Sequence, residues 1–319
     1  MPQPFSNRIV SAIDARANMI NDFFGGWQPG DLDLFLKYGF TSTPMSGHIT
    51  DFFGARTPVA CVPWAAGLDG AVITEPPIPD DSVRAEAIEY LALLNSLEGS
   101  HDETFTMIEI GSSYAPWACL AGVLARRGGK RRVNLKSVEA SAFFQRLTLD
   151  NIKANNLHSS DEITEVVFSA VQGAAGASEG FIYFPVVSSA MENGGQTSAS
   201  DITSDYVGRN IAHEKVQMYT ISQLIDGFEE VDFLHCDIQG SEAAVLIPSV
   251  ELLTQKVKHM FIGTHSRKIE GELIECFHGA GWLLDRERPA MFTHRPDLKD
   301  VVGMTTRDGG QYWVNPKYK

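Results

Sequence analysis

Short apolar runs alternate with segments of helical periodicity through most of the chain, from residue 104 onward. The runs typical of strands cover 104–110, 132–139, 163–170, 231–237 and 259–264, and helical spacing covers 116–127, 141–156, 221–227, 241–255 and 270–279. Strands that are separated by helices predict a parallel sheet covered by helices on both faces. The expected fold class is therefore α/β.

Two later segments depart from this alternation. Residues 282–285 and 311–314 are apolar stretches with no helical pattern between them, which predicts an antiparallel pair at the C-terminal edge of the sheet. Residues 173–200 are rich in Gly, Ala and Ser, and 180–187 predicts a short hairpin beside a mobile loop. We therefore expect a mostly parallel sheet with an antiparallel edge pair.

The first 103 residues differ from the rest of the chain. Aromatic, Gly-rich and Pro-rich clusters, such as that at 75–81, indicate loops between short elements. An amphipathic helix is expected over 83–97, with its N-terminal cap supplied by residues 80–82. The expected organisation is an N-terminal extension or cap over 1–103, followed by a catalytic domain over 104–319.

Charge and composition narrow the classes of partner. The 319 residues include 26 Lys and Arg against 40 Asp and Glu, a formal net charge of −14. This balance argues against nucleic acid, because phosphate binding depends on clustered Lys and Arg. No apolar stretch approaches the ~18 residues of a membrane span, and the first 20 residues lack the apolar core of a signal peptide. A cytoplasmic protein is expected. The four cysteines form no C-x-x-C pair, which suggests neither disulfides nor a zinc site.

A candidate cofactor loop follows the first strand of the catalytic domain. Gly111 permits a tight turn there, and Pro116 suits the first position of a helix. The second and third glycines of a dinucleotide loop are missing, and Glu109 would repel a pyrophosphate. S-adenosylmethionine, which is cationic at sulfur and has no phosphate, fits better. The expected contacts of this cofactor are Glu109, Gly111, Ser112, Ser113 and Tyr114.

A second acidic residue, Glu139, ends the next strand and is followed by Ala140. A carboxylate at this position can accept both hydroxyls of a ribose, as in dinucleotide folds. Glu139 and Ala140 are therefore further candidate cofactor residues. The alternative for Glu139 is a charge that favours the N-terminus of the helix beginning near Ser141.

Three motifs lie at the ends of predicted strands: Glu109-Ile110-Gly111-Ser112-Ser113-Tyr114-Ala115-Pro116-Trp117, Val138-Glu139-Ala140, and Val231 to Glu242 with Asp237-Ile238-Gln239-Gly240-Ser241-Glu242 at its end. Together they resemble the FkbM family of S-adenosylmethionine-dependent O-methyltransferases. The resemblance covers about residues 104–315 and implies a Rossmann-like class I methyltransferase fold. Family members usually have Asp-x-Glu-Gly-x-Glu in the last motif, where this chain has Gln239, and often have Gly at positions 113 and 115.

Asp237 and His265 follow two neighbouring strands and should face one cleft, because ligands bind at the carboxyl edge of parallel strands. They are the expected catalytic residues. His265 would remove the proton of an acceptor hydroxyl, and Asp237 would orient His265 or the substrate. Gln239 and Glu242 are candidate substrate contacts. The alternatives are a loop histidine bonded to backbone for His265 and a favourable helix-terminal charge for Glu242.

A metal is a competing arrangement for the same residues. Asp237, Glu242 and His265 could supply ligands to a divalent cation such as Mg²⁺ that holds a vicinal diol. The sequence leaves this choice open.

The leading interpretation is an S-adenosylmethionine-dependent O-methyltransferase that acts on a sugar-like or other polyol small molecule in a biosynthetic pathway. One alternative is a catalytically inactive binding protein on a methyltransferase scaffold, which the change at Gln239 leaves open. A nicotinamide oxidoreductase is disfavoured by the missing glycines. The expected partner is a small-molecule or carbohydrate acceptor, and a homo-oligomer stays open.

Overall fold

The computed structural model describes residues 26–28, 30–204, 210–298 and 301–318. The strands are β1 (His48–Thr50), β2 (Arg56–Pro58), β3 (Thr104–Ile110), β4 (Arg132–Glu139), β5 (Glu165–Gln172), β6 (Ala174–Ala175), β7 (Gly180–Pro185), β8 (His213–Tyr219), β9 (Val231–Cys236), β10 (Val257–Thr264), β11 (Leu283–Arg288), β12 (Met291–Phe292), β13 (Thr305–Arg307) and β14 (Gly309–Val314). The α-helices are α1 (Asp31–Tyr38), α2 (Ala87–Glu98), α3 (Pro116–Arg127), α4 (Ala142–Ala154), α5 (Ile221–Ile225), α6 (Glu242–Leu246), α7 (Val250–Lys256) and α8 (Arg267–Gly279).

The centre of the molecule is a seven-stranded sheet with the strand order β11-β14-β10-β9-β3-β4-β5. The pairs β3–β4, β4–β5, β3–β9 and β9–β10 are parallel, whereas β14 runs antiparallel to both β10 and β11. The predicted α/β class and the antiparallel pair at one end of the sheet are therefore confirmed.

The order of the strands creates a crevice at the middle of the sheet. The chain moves outward from β3 through β4 to β5 and then returns to the other side of β3 as β9. Connections that leave neighbouring strands in opposite directions open a gap at the carboxyl edge, and ligands bind there in open α/β sheets. The ends of β3, β4 and β9 therefore define the place to look for a site.

Helix α2 begins later than its sequence pattern predicts and is not amphipathic. It covers Ala87–Glu98, and nine of its 12 residues are buried. Asp81 explains the late start, because its carboxylate accepts the backbone N–H groups of residues 83, 84 and 85 and pairs with Arg84 at 3.2 Å. These bonds fold residues 81–85 into a turn outside the helix.

The N-terminal segment, of which the structure describes residues 26–28 and 30–103, packs on the central sheet. Trp27, Phe35 and Phe53 share one buried cluster with α2, α3 and sheet residues such as Phe233. Burial of large aromatic side chains provides much of the stability of such a contact. The segment therefore covers one face of the sheet close to the crevice.

Three other parts of the chain differ from the sequence prediction. The expected hairpin over 180–187 is wrong, since β7 pairs antiparallel with β8, a strand 28 residues or more further along the chain. Strand β8 was not predicted, because its sequence His-Glu-Lys-Val-Gln-Met-Tyr is mostly polar. The helix expected over 241–255 is divided into α6 and α7 by a 3-10 turn that contains Pro248, whose ring is incompatible with a helix interior.

Candidate active site

A cavity of about 200 Å³ lies at the carboxyl edge of the central sheet. Its walls come from the loop after β3, from the ends of β4 and β9, from the small sheet that contains β6 and β7, and from the N-terminal segment. All seven predicted cofactor residues line the cavity: Glu109, Gly111, Ser112, Ser113, Tyr114, Glu139 and Ala140. The cavity is therefore where the strand order places a ligand site.

The loop after β3 passes very close to the end of β9. Gly111 has φ +75°, and a Cβ at this position would lie 1.8 Å from the carbonyl oxygen of Asp237. The backbone N–H groups of Gly111 and Ser112 both donate to the carbonyl oxygen of Val138, at 3.0 Å each. Only glycine fits this approach, and the tight turn predicted at Gly111 is present.

Glu109 is buried at the end of β3, with 1% of its surface exposed. Its carboxylate accepts the backbone N–H of Ala118 at 2.7 Å and that of Trp117 at 3.3 Å, at the first turn of α3. Burial raises the pKa of Glu109 to about 8, and the two N–H groups oppose this rise. Glu109 therefore anchors the helix that follows the cofactor loop while it faces the cavity.

Glu139 joins the ends of β3 and β4. One carboxylate oxygen accepts the backbone N–H of Ser113 and the other that of Ser141, each at 2.7 Å. Burial raises the pKa of Glu139 to about 7, against the effect of these N–H groups. Because a carboxylate has about four lone-pair sites, both oxygens can still accept a hydroxyl from a ligand.

The cofactor loop also contains two hydroxyl groups that fit a ligand. The Oγ atoms of Ser112 and Ser113 are buried and have no hydrogen-bond partner among the described residues. Buried polar atoms are normally paired, so an unpaired pair beside a cavity indicates that a polar ligand completes them. Together with the close approach at Gly111, these atoms fit a bound S-adenosylmethionine.

Asp237 and His265, which follow β9 and β10, meet beside the cavity as predicted, and Glu242 from the start of α6 joins them. His265 Nδ1 lies 2.8 Å from Glu242 Oε1, and Nε2 lies 3.3 Å from Asp237 Oδ1. Glu242 also accepts the backbone N–H groups of Ile238 and Gly240, at 3.1 and 3.0 Å. We call these three side chains the Asp-His-Glu relay.

The three side chains of the relay differ in their exposure to the cavity. The side chain of Asp237 is 37% exposed and lines the cavity, whereas those of His265 and Glu242 are 2% and 0% exposed and lie behind it. The expected direct contact between Glu242 and a substrate is therefore not made, because a fully buried carboxylate cannot reach the cavity. His265 likewise faces carboxylates through both ring nitrogens instead of facing the cavity.

The charges of the relay are strongly coupled. Burial alone would lower the pKa of His265, but the carboxylates of Glu242 and Asp237 raise it to about 10. Burial raises the pKa of Asp237 to about 6, and the His265 cation opposes this rise. At neutral pH the imidazolium of His265 thus lies between the side chains of Asp237 and Glu242. Its positive charge keeps Asp237 ionised and in place.

Gln239, which departs from the family motif, lines the cavity beside Asp237. Its amide Nε2 donates to Asp237 Oδ1 at 3.1 Å. A glutamate in this position would place a second negative charge against Asp237, whereas the glutamine adds a hydrogen bond. Gln239 is therefore well placed to orient Asp237.

The spacing of the Asp-His-Glu relay is compatible with the metal alternative. Ligand atoms of Asp237, Glu242 and His265 lie within 4.8 Å of one another. Each, however, is engaged with another member of the relay, and Glu242 holds two backbone N–H groups as well. Glu242 Oε2 and His265 Nε2 have no hydrogen-bond partner among the described residues, so the metal alternative is tested by the chelator experiment below.

Many of the residues that line the cavity were not among the predicted site residues, and they include one aromatic and three titratable side chains with a bearing on function. Trp64, Arg84 and Glu89 come from the N-terminal segment, and His235 comes from β9. Arg84 is held by Asp51 at 2.5 Å and by Asp81. One local signal was available, since His235 and Asp237 are two positions apart near the end of a strand and so point to the same side. No local signal marks the other three.

Among the described residues, no helix combines the length and the apolar character that crossing a bilayer requires.

Comparisons with known proteins agree with the geometry. The model of the FkbM methyltransferase domain matches residues 99–297. A protein of Jannaschia sp. (strain CCS1) named "Putative methyltransferase" is 28% identical over 264 residues, which cover 82% of this chain and 90% of that protein.

Two solved structures are also similar. The N-terminal domain of human METTL16 has a TM-score of 0.39 and 10% identity, with 71% of this chain and 68% of that chain covered. The precorrin 8w decarboxylase of Methanobacterium thermoautotrophicum has a TM-score of 0.39 and 7% identity, with 72% and 91% covered.

The sheet order, with β14 reversed between β10 and β11, is that of a Rossmann-like class I methyltransferase. Family and fold together support a methyltransferase that depends on S-adenosylmethionine. Since the family model matches more than half of its residues, the chain belongs to the FkbM methyltransferase family.

Proposed function

We propose that this methyltransferase transfers a methyl group to a hydroxyl oxygen of a sugar-like or other polyol small molecule in a biosynthetic pathway. The observation that carries the proposal is Asp237. It is a carboxylate that faces the cavity beside the cofactor loop and is backed by a buried histidine. A carboxylate in this position suits an acceptor that must lose a proton as it reacts.

The cofactor side of the cavity is assigned to the loop after β3 and the end of β4. Ser112 and Ser113 offer buried hydroxyls to the cofactor, and Glu139 offers carboxylate oxygens to its ribose. Glu109 adds a buried carboxyl group whose pKa is raised to about 8, and a nearby cation on the ligand would favour its ionised form. S-adenosylmethionine, when bound, supplies the methyl group, and its sulfur keeps the electron pair of the broken carbon–sulfur bond.

The acceptor side is assigned to Asp237 and its supports. Asp237 accepts the hydroxyl proton while the acceptor oxygen forms its bond to the methyl carbon. His265 and Glu242 do not touch the reacting atoms and act as positioning residues, because they hold Asp237 from behind. The proposed roles of Asp237 and His265 are therefore exchanged relative to the sequence expectation.

A polyol fits the polar and aromatic groups at this end of the cavity. Asp237 accepts hydrogen bonds, and Gln239 both donates and accepts them. Trp64 also lines the cavity, with its indole N–H bonded to the carbonyl oxygen of Val83 at 2.9 Å. The indole is thereby oriented, and the apolar face of a sugar ring can stack on such a ring.

The test is transfer of a labelled methyl group from S-adenosylmethionine to a panel of neutral sugars, glycosides and other polyols, with and without a chelator. We expect a product that carries the new methyl on oxygen, and equal turnover in the presence of the chelator. Asp237→Asn should abolish most of this turnover. Asp33→Asn, on the exposed side of α1, is the matched control and should leave it unchanged.

Two results would contradict the proposal. A new methyl located on nitrogen or carbon by NMR would show a different acceptor chemistry. Loss of activity with the chelator that Mg²⁺ restores would replace the proton-accepting role of Asp237 with a metal site.

A further inference from the structure

One further carboxyl group, that of Glu89, lines the cavity. Glu89 lies in the first turn of α2, and its side chain is only 13% exposed. It lines the cavity together with Asp237 and His235. Neither the cofactor loop nor the Asp-His-Glu relay uses it. Its position shows that the N-terminal segment supplies a titratable group to the site.

His235 anchors Glu89 as an uncharged partner. Its Nε2 lies 3.2 Å from Glu89 Oε2. The imidazole is stacked between Trp117 and Phe261, with ring centroids 5.3 and 5.4 Å away. Burial lowers the pKa of His235 to about 3, so the ring is neutral at physiological pH. The contact between His235 and Glu89 is thus a hydrogen bond in which the two groups share one proton, and not an ion pair.

The charged groups around Glu89 favour its protonated form. Glu86, one turn earlier, pairs with Arg288 and lies 3.6 Å from Arg307. Glu89 has no such cation within ion-pair distance among the described residues. Burial and the carboxylates of Glu86 and Asp237 raise the pKa of Glu89 well above its ordinary value, and Arg288 opposes this rise only in part. A hydrogen bond between the side chains of Glu89 and Glu86 adds to the rise.

We propose that Glu89 carries a proton in the working enzyme and donates a hydrogen bond to the methyl acceptor, while Asp237 receives the proton of the reacting hydroxyl. Two carboxyl groups in one site divide the roles of donor and acceptor when their surroundings differ in this way. Asp237 has the His265 cation behind it, whereas Glu89 has a neutral imidazole and a neighbouring carboxylate. The inference rests on the proposed function and adds a residue to it.

This division of roles narrows the class of acceptor. A protonated carboxyl donates to an oxygen that has a free lone pair, such as an ether, a ring oxygen or a second hydroxyl. Asp237 at the same time needs a hydroxyl that can give up its proton. The favoured acceptor is therefore an uncharged polyol with another oxygen near the hydroxyl that is methylated.

The kinetic test compares Glu89→Gln and Glu89→Ala, with the best polyol of the panel as acceptor. Glutamine keeps a hydrogen-bond donor of similar shape, so Glu89→Gln should retain most of kcat/KM at neutral pH. Glu89→Ala should lose about tenfold or more, the effect of one missing hydrogen bond in a buried site. Glu98→Gln, an exposed substitution in the last turn of the same helix, is the matched control.

The pH profile separates a proton-carrying role from a purely structural one. Because the active form of Glu89 is protonated, activity of the wild type should fall as the pH rises through its raised pKa. This alkaline limb should be absent from Glu89→Gln. If Glu89→Gln is as impaired as Glu89→Ala and keeps the alkaline limb, Glu89 does not act as a protonated donor and the proposal is overturned.

A second measurement needs no acceptor. In protein with ¹³C-labelled glutamate carboxyls, the resonance that is missing from Glu89→Gln belongs to Glu89, and it should titrate well above the ordinary carboxyl range. An ordinary value would overturn the Glu89 proposal even if polyols are methylated. Conversely, a raised value in a protein that methylates no polyol would reject the proposed function and leave the protonation of Glu89 standing.

Discussion

The tight approach of the Gly111 backbone to Asp237 gives a quantitative prediction for Gly111→Ala. At φ +75° a residue with a Cβ costs about 1–2 kcal/mol relative to glycine. The new Cβ would also lie 1.8 Å from the carbonyl oxygen of Asp237, and the loop must move by more than an ångström to relieve this overlap. Overpacking of this kind costs about 1–3 kcal/mol. The free energy of unfolding should therefore fall by about 2–5 kcal/mol in total.

Gly129→Ala is the matched control for this prediction. Gly129 has φ +80°, and no atom lies within 4 Å of the position its Cβ would take, so alanine there adds only the backbone strain. Urea denaturation followed by circular dichroism measures both variants, and calorimetric titration with S-adenosylmethionine should show weaker binding only for Gly111→Ala. If the two variants lose the same stability and both bind the cofactor like wild type, the steric reasoning about Gly111 is refuted.

Three further predictions concern the charged residues of the site. Glu139→Ala should weaken binding of S-adenosylmethionine by about 1–3 kcal/mol, and unchanged affinity by calorimetry in a folded variant would remove Glu139 from the cofactor site. Asp237→Asn should lower kcat by about 10²- to 10⁴-fold and leave cofactor affinity near wild type; a kcat close to wild type would exclude Asp237 as the proton acceptor. The pKa of His265 is raised to about 10, so its stabilising effect is complete below the unfolded value of about 6.5 and is lost as the pH rises toward about 10. The unfolding free energy of wild type should accordingly fall more steeply over that interval than that of His265→Gln, and equal slopes would count against the coupling.

Most of the central sheet could be predicted from the sequence. Strand β4 covers the predicted 132–139, and α3 covers the predicted 116–127, because apolar period and helix punctuation agree in both segments. Strand β8 escaped prediction because only one of its seven residues is buried. Its place in the fold depends on pairing with β7, which no local pattern records.

The sequence predicted that Asp237 and His265 meet in the candidate site, but not how their side chains are oriented. The meeting of Asp237 and His265 follows from parallel neighbouring strands, so their positions alone indicate it. Which of the two side chains faces the cavity depends on the packing behind them. The sequence analysis chose His265 as the base only because histidine commonly has that role. The pair formed by Glu89 and His235 joins residues 146 positions apart, and only the packing of α2 on the sheet brings them together.

The reversed strand between β10 and β11 has a consequence for biosynthesis of the protein. A ribosome makes β10 and β11 before β14, yet β14 must enter between them and pair with both. Until then the growing chain exposes two unpaired strand edges, which are prone to associate with other chains. Release of a chain truncated before Gly309 should therefore leave an incomplete sheet that aggregates, and even a small loss at this end should reduce soluble yield more than a loss of similar length in a surface loop.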